Sequence, residues 1–249
     1  MDRFDAVIFD MDGVVTDTAQ VHARCWKRAF DDYLRARSEH TGDVLRLFDE
    51  EDYLKYVDGK PRYEGVESFL SSRHIVLAHG APSDLPGYDT LCALGNLKDH
   101  TFEQLVRNEG VTLFESTGDF IRTLRRHGIH TALISSSRHA KTILAATGTT
   151  QLFDAIVDGV EAEALNLLGK PDPAIFLTAA RRLGISPSRA AVVEDALAGV
   201  EAGRRGGFCF VIGIDRNSHG DALRAHGADV VVTDLSGLTL LPAVQSGMP

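Results

Sequence analysis

Ala6-Val7-Ile8-Phe9-Asp10-Met11-Asp12-Gly13-Val14-Val15-Thr16-Asp17-Thr18 is the stretch on which the fold of this chain turns. Its first four residues form an apolar run without alternation, the pattern of a strand buried on both faces of a parallel sheet. The run stops at two carboxylates two residues apart, with a glycine behind them. In open α/β sheets ligands bind beyond the carboxyl ends of the strands, so Asp10 and Asp12 stand where chemistry is expected. Such a pair suits a tight loop around a divalent ion. It also suits a division of labour, one carboxylate as nucleophile and the other as general acid/base. A plain Asp-Gly turn fits the same residues.

Further short β-branched runs follow at Thr131–Ile134, Ala155–Val157, Ala191–Val193, Phe208–Ile212 and Val230–Val232. They alternate with helix-period stretches at Ala140–Thr147, Pro173–Leu183, Ala196–Arg205 and Asp221–His226, with Gly203, Gly206 and Gly207 read as ending the helix before Phe208. Repeated β-α-β-α of this kind predicts a doubly wound parallel-sheet α/β core of Rossmann-like type. Between Asp17 and Val111 no buried-strand signal occurs, and the span is far too long for a loop. His22, Trp26, Ala29, Phe30 and Tyr33 recur at helical spacing, Asp58 to Gly87 reads as irregular, and Leu91 to Val106 reads as helix. An inserted helical domain is therefore expected at 19–110, between core segments 1–18 and 111–249, with hinges near Thr18 and Gly110.

Composition narrows the function classes. The 249 residues are 44% hydrophobic and 24% charged, as in globular enzymes. Lys and Arg number 26 against 35 Asp and Glu, a net charge of −9. An acidic chain without a basic block lacks the cationic surface that nucleic-acid binding needs. No apolar run approaches the ~18 residues of a membrane span. Met1-Asp2-Arg3-Phe4-Asp5 does not read as a signal peptide. Cys25, Cys92 and Cys209 are odd in number and far apart, so neither a disulfide framework nor a zinc set is indicated. A cytoplasmic protein with no membrane or nucleic-acid partner is the expectation.

Three more strand ends or helix starts carry reactive groups. Ser135-Ser136-Ser137-Arg138 follows the second run, and a hydroxyl with backbone N–H groups at a helix start can cradle phosphate; an ordinary N-cap fits as well. Gly169-Lys170-Pro171-Asp172-Pro173 sets a lysine before a helix that the prolines help start, where a solvated loop charge is the plainer account. Glu194-Asp195 closes the run Ala191–Val193 and could ligate Mg²⁺, a hard cation that favours carboxylate oxygen; Asp195 would serve equally as an N-cap. Jointly the plain accounts require four independent coincidences in the order acid pair, hydroxyl, lysine, acid pair.

That set, in that order and over the whole chain, resembles the haloacid dehalogenase-like phosphotransferase superfamily. The resemblance implies Asp10 as the nucleophile that becomes an aspartyl phosphate and Asp12 as general acid/base, with Ser135 and Lys170 in the second and third motifs. It implies Mg²⁺ held by Asp10, the Asp12 carbonyl and Asp195, with Glu194 assisting, and it makes the insert an α-helical cap. Carboxylate attack on a phosphate monoester brings like charges together, which Mg²⁺ and Lys170 would neutralise.

Within the superfamily the chain is similar to the β-phosphoglucomutases. The opening stretch with Thr18, His22 and Trp26 resembles theirs, as does Ser135–His139, where Arg138 and His139 stand in place of Lys-Asn. Gly59-Lys60-Pro61-Arg62 resembles the cap segment whose arginine grips the non-reacting phosphate, and Asn96-Leu97-Lys98 resembles the cap lysine segment, with Ser71–Tyr88 as extra cap material. The implied substrate-binding residues are thus Thr18, His22, Trp26, Arg62, Lys98, Ser136, Ser137, Arg138 and His139. From pattern alone His22 equally fits a packed core histidine, and Arg62 and Lys98 solvated charges. A bisphosphate that turns around needs a second phosphate site, for which a bidentate Arg is suited.

The implied activity is a Mg²⁺-dependent interconversion of β-D-glucose 1-phosphate and D-glucose 6-phosphate through β-glucose 1,6-bisphosphate, in a monomer whose partner is a small phosphorylated sugar. A sugar-phosphate phosphatase on the same scaffold is the nearest alternative. A response-regulator-type phosphoacceptor is more distant, because its acid would follow a later strand. A dinucleotide module is disfavoured, since no Gly-x-Gly-x-x-Gly follows the first strand.

Overall fold

In the computed structural model, which describes residues 4–216 and 218–238, six parallel strands form one sheet. They are β1 (Ala6–Asp10), β2 (His130–Ile134), β3 (Ala155–Val157), β4 (Ala190–Glu194), β5 (Phe210–Ile214) and β6 (Val230–Val232), in the order β3-β2-β1-β4-β5-β6. The outer ends of the expected core segments, 1–3 and 239–249, lie outside the described residues. β1 is central: Ala6 lies opposite both His130 and Ala190. The unbroken apolar runs follow from this placement, because side chains alternate between two buried faces. Val7, Phe9, Leu133 and Val193 belong to one core, Ala6, Ile8, Ala132 and Val192 to the other.

Between β1 and β2 come α1 (Ala19–Thr41), the single turn α2 (Glu50–Asp52), a π-helical turn at Tyr53–Val57, α3 (Arg62–Ser72), α4 (Leu91–Glu109) and α5 (Glu115–Arg126). After β2 run α6 (Ala140–Ala146), α7 (Gly159–Ala164), α8 (Ala174–Leu183), α9 (Leu197–Arg205) and α10 (Gly220–Ala225). Phe120, Ile121 and Leu124 of α5 cover the first face of the sheet, and Phe176 and Ala179 of α8 the second. The doubly wound α/β core with an inserted helical cap is thus the observed architecture. None of the described helices is long and apolar enough to cross a membrane.

α1 and α4 link the two parts. Val21 and Cys25 of α1 and Phe102 of α4 pack in the sheet's first core. Trp26, Phe30 and Leu34 of α1, with Leu91 and Leu94 of α4, belong to a separate apolar cluster together with Phe48, Val66 and Phe69.

Three local expectations are corrected. Asp58 to Gly87 is not irregular throughout, because α3 occupies its first half and buries Val66, Phe69 and Leu70. Gly59, Pro61 and the terminal Ser71-Ser72 had masked that short stripe. β5 lies two residues beyond the expected Phe208–Ile212. Gly207 at φ +71° turns the chain, and Phe208 packs edge-on against Phe176, 5.9 Å between centroids, before the strand begins. Gly203 lies inside α9 rather than at its end, where a Cβ would come within 3.3 Å of Val192 and Val211. Helix and sheet approach closely there.

Candidate active site

Parallel strands bring their carboxyl ends to one edge, and the strand order sets β1 between β2 and β4. Asp10, Ser135 and Glu194 therefore converge there. Lys170, from the segment before α8, donates to Asp10 Oδ1 at 2.6 Å and to Glu194 Oε1. It is 2% exposed, so both ion pairs are shielded from water. Asp10 Oδ2 accepts from the Asp12 backbone N–H at 3.0 Å. Glu194 Oε2 accepts from the backbone N–H groups of Asp195 and Ala196, 3.0 Å each, so both its oxygens are engaged. Asp195 is not the N-cap of α9; that position is Ala196.

Charge is unbalanced at this edge. One lysine faces Asp10, Glu194 and Asp195, whose ligand oxygens lie within 4.8 Å of one another. Burial drives the Asp10 carboxyl well above its usual value against the pull of Lys170, with Glu194 and Asp12 adding to the rise. Asp195 is raised well above its usual value by burial and by Asp58 and Glu194. A clustered all-oxygen donor set with surplus negative charge fits a hard divalent cation such as Mg²⁺.

Asp12 is held differently. Its carboxylate turns away from that cluster, accepting from Thr18 Oγ1 at 2.5 Å and Ser135 Oγ at 3.1 Å, with His22 Nε2 at 3.3 Å. Burial alone would raise it, but the His22 ring and the bonds from His22, Thr18 and Ser135 outweigh burial and bring it down to about 2. Thr18 precedes α1 without capping it, its hydroxyl being used on Asp12. Lys98 donates to His22 Nδ1 at 2.6 Å, leaving the ring's other nitrogen toward Asp12. Burial and the Lys98 charge lower the His22 imidazole. Lys98 is itself lowered to about 8 by burial, wedged over Trp26 (5.0 Å) and Phe102 (4.8 Å).

A cavity of about 480 Å³ opens above Asp10 and Asp12 between the insert and the sheet edge. His22, Trp26, Arg62, Lys98, Ser136, Ser137 and Arg138 line it; Ser135 and His139 do not. Ser137 N–H donates to Ser135 Oγ (3.0 Å), shaping the loop after β2. Arg62 opens α3, its Nη2 2.6 Å from Asp99 Oδ1 and its Nη1 donating to Asn96 Oδ1 at 3.2 Å. His139 Nε2 also reaches Asp99 Oδ1, at 2.9 Å. Arg138 pairs with Glu163, which also lines the cavity.

Residues with no strand-end signature complete the site. The turn Asp58-Gly59-Lys60-Pro61 lies on the sheet edge, with Gly59 at φ +73°, where a Cβ would come 3.1 Å from Ala196 and 3.6 Å from Lys170. Asp58 lines the cavity beside Asp195, and burial raises its carboxyl to about 6. Two glycines make room for the acids: a Cβ on Gly13 would fall 1.7 Å from Asp195 Oδ2, and one on Gly199 1.9 Å from Glu194 Oε1. Asp58 and Asp99 sat beside segments already singled out, but nothing in the sequence tells which distant groups they face.

Comparisons with known proteins agree with this geometry. The haloacid dehalogenase-like hydrolase family model matches residues 4–207. A β-phosphoglucomutase from Mycobacterium bovis is 44% identical over 95% of this chain and 92% of its own length. One from Bacillus subtilis is 34% identical over 94% and 92%. In fold, the chain is similar to the crystal structure of a Clostridium difficile β-phosphoglucomutase, with a TM-score of 0.71, 23% identity, and coverage of 95% and 93%.

Proposed function

The chain belongs to the haloacid dehalogenase-like hydrolases, and from that premise we propose that it is a β-phosphoglucomutase, interconverting β-D-glucose 1-phosphate and D-glucose 6-phosphate. One observation carries the reading: the match to a β-phosphoglucomutase, 44% identical overall, covers 95% of this chain and 92% of the relative, so it takes in the insert as well as the sheet.

On this reading residues 19–110 act as the cap, closing over the cavity with Asp58–Pro61 and keeping water from the reacting centre. Asp10 carries the phosphoryl group. Asp12, kept ionised at neutral pH by the His22 ring and by its hydrogen bonds, takes the proton of the accepting sugar hydroxyl. The hydroxyl oxygen then bonds to phosphorus as the bond between phosphorus and Asp10 breaks, giving β-glucose 1,6-bisphosphate. After the bisphosphate turns around, Asp10 attacks the other phosphoryl group and Asp12 returns the proton to the leaving sugar oxygen. Lys170 balances charge on Asp10 throughout. Mg²⁺, held by Asp10, Asp195 and the Asp12 carbonyl with Glu194 assisting, would neutralise the phosphoryl oxygens. Arg62, Lys98, Arg138 and His139, with Ser136 and Ser137, would hold the phosphate not being transferred.

The test supplies β-glucose 1-phosphate, Mg²⁺ and a trace of β-glucose 1,6-bisphosphate, and follows glucose 6-phosphate and free phosphate separately. Glucose 6-phosphate should form in large excess. Stoichiometric phosphate release with little glucose 6-phosphate would make the chain a sugar-phosphate phosphatase.

A further inference from the structure

Asp99 lies where an anion belongs. A single oxygen, Oδ1, takes Arg62 Nη2 at 2.6 Å and His139 Nε2 at 2.9 Å. Arg62 comes from α3, Asp99 from α4 and His139 from the loop before α6, so the carboxylate joins the insert to the sheet domain. Side-chain exposures of 17%, 19% and 21% leave the three partly desolvated yet reachable. Burial would raise the Asp99 carboxyl, but His139 and Arg62 overcome it and hold it below its usual value, so it stays charged.

We propose that Asp99 is an internal counter-ion that occupies Arg62 and His139 in the free enzyme, and that the non-reacting phosphate of a sugar phosphate must displace it to bind. This rests on the mutase reading for the identity of the ligand. The phosphate and Asp99 compete because both are anions seeking the same N–H groups. A phosphate against Arg62 beside an unmoved Asp99 would place like charges within a few ångströms. Glu103, whose carboxylate lies within 4.8 Å of the Asp99 and His139 ligand atoms, adds to that repulsion. Arg62 is prepared for the exchange. Its Nη1 stays on Asn96, which also accepts from Tyr63 Oη at 2.9 Å and donates to the Pro82 and Asp84 carbonyls. The guanidinium therefore keeps its direction when Asp99 lets go. Affinity for the sugar phosphate is accordingly lower than the cation set alone would give, in proportion to the fraction of enzyme whose cations are free.

Asp99→Asn removes the charge and keeps the shape. Calorimetric titration of the unphosphorylated protein with glucose 6-phosphate, and separately with inorganic phosphate, reads the consequence, and thermal melts read folding. Asp99→Asn and Asp99→Ser should each bind about tenfold tighter than wild type, with KM for β-glucose 1-phosphate falling in step. The gain should vanish in an Arg62→Ala background. Equal or weaker binding by both variants, each melting like wild type, would make Asp99 a mere support for Arg62 and overturn the proposal. Failure of both variants to fold would overturn it too, since a displaceable counter-ion is not one the fold depends on. If wild type neither binds nor converts glucose phosphates while Asp99→Asn still gains affinity for inorganic phosphate, the counter-ion stands and the mutase reading falls. If neither protein responds to either ligand, both fall.

Discussion

Ser136 Oγ donates to the Gly59 carbonyl oxygen at 2.8 Å, tying the loop after β2 to the turn before α3. The bond lies between sheet domain and insert. It is one of the polar contacts that join the two parts. Removing it should loosen closure while leaving the reacting groups in place. One hydrogen bond contributes about 0.5–1.5 kcal/mol, roughly a 2–10-fold change in the closed population. Ser136→Ala should therefore raise the ratio of phosphate released to glucose 6-phosphate formed by a similar factor, measured by parallel assays of the two products. An unchanged ratio would show that this bond has no part in excluding water.

Gly199→Ala tests the room left for Glu194. Alanine in a helix is ordinarily favoured over glycine by about 1 kcal/mol. Here its Cβ would fall 1.9 Å from Glu194 Oε1, forcing the carboxylate off Lys170. The expected result is a loss of kcat/KM of roughly a hundredfold or more, the scale of losing one aligned electrostatic group, together with a higher Mg²⁺ requirement. A Mg²⁺ titration of activity in the two proteins measures both.

Lys98 supplies a pH signature. It is charged below about pH 8 and neutral above, because burial lowers it. If its charge helps to hold a phosphate, kcat/KM should be flat below that value and fall above it. In Lys98→Arg the guanidinium stays charged, so the alkaline limb should move beyond the accessible range, whatever the absolute rate. A limb at the same pH in both proteins would assign it elsewhere. Stability runs the opposite way: a lowered lysine favours the neutral form in the fold, so its penalty is largest below pH 8 and fades toward the unfolded value near 10.5, and stability rises with pH where activity falls.

Asp52 is the electrostatic centre of the α2 turn. At 2% exposure it takes Arg46 at 2.9 Å and Arg73, and completes a reciprocal cap with Asp49. Asp52→Ala leaves Arg73 half-buried and unpaired, which should cost about 3 kcal/mol, the low end for breaking a buried pair. The denaturant midpoint should fall with little change in slope.

How much of this was legible in the residues differs by element. β1, β2 and β4 announce themselves because burial on both faces requires unbroken apolar runs, and Asp10, Ser135 and Glu194 could be placed at one edge as the residues where such runs stop. α3 was hidden because its apolar stripe is only Val66, Phe69 and Leu70 among turn-forming neighbours. Asp58 and Asp99 carry no local pattern at all. The groups they face across the site, Asp195 for one and Arg62 and His139 for the other, lie far away along the chain, and only the folded insert brings them together.

The central place of β1 bears on how the molecule assembles. Its two neighbours are Ala6 opposite His130 and Ala6 opposite Ala190, so the strand carrying Asp10 waits for most of the chain before it is paired on both sides. The insert's apolar cluster, by contrast, runs only from Trp26 to Leu94. Short-range contacts close quickly and long-range pairing slowly. During synthesis the insert can therefore collapse first, while β1 stays an open edge, exposed to mispairing and aggregation until β2 and β4 emerge. The arrangement that puts the nucleophile at the heart of the sheet also makes its strand the one that waits longest, counted from its own synthesis, for its second neighbour.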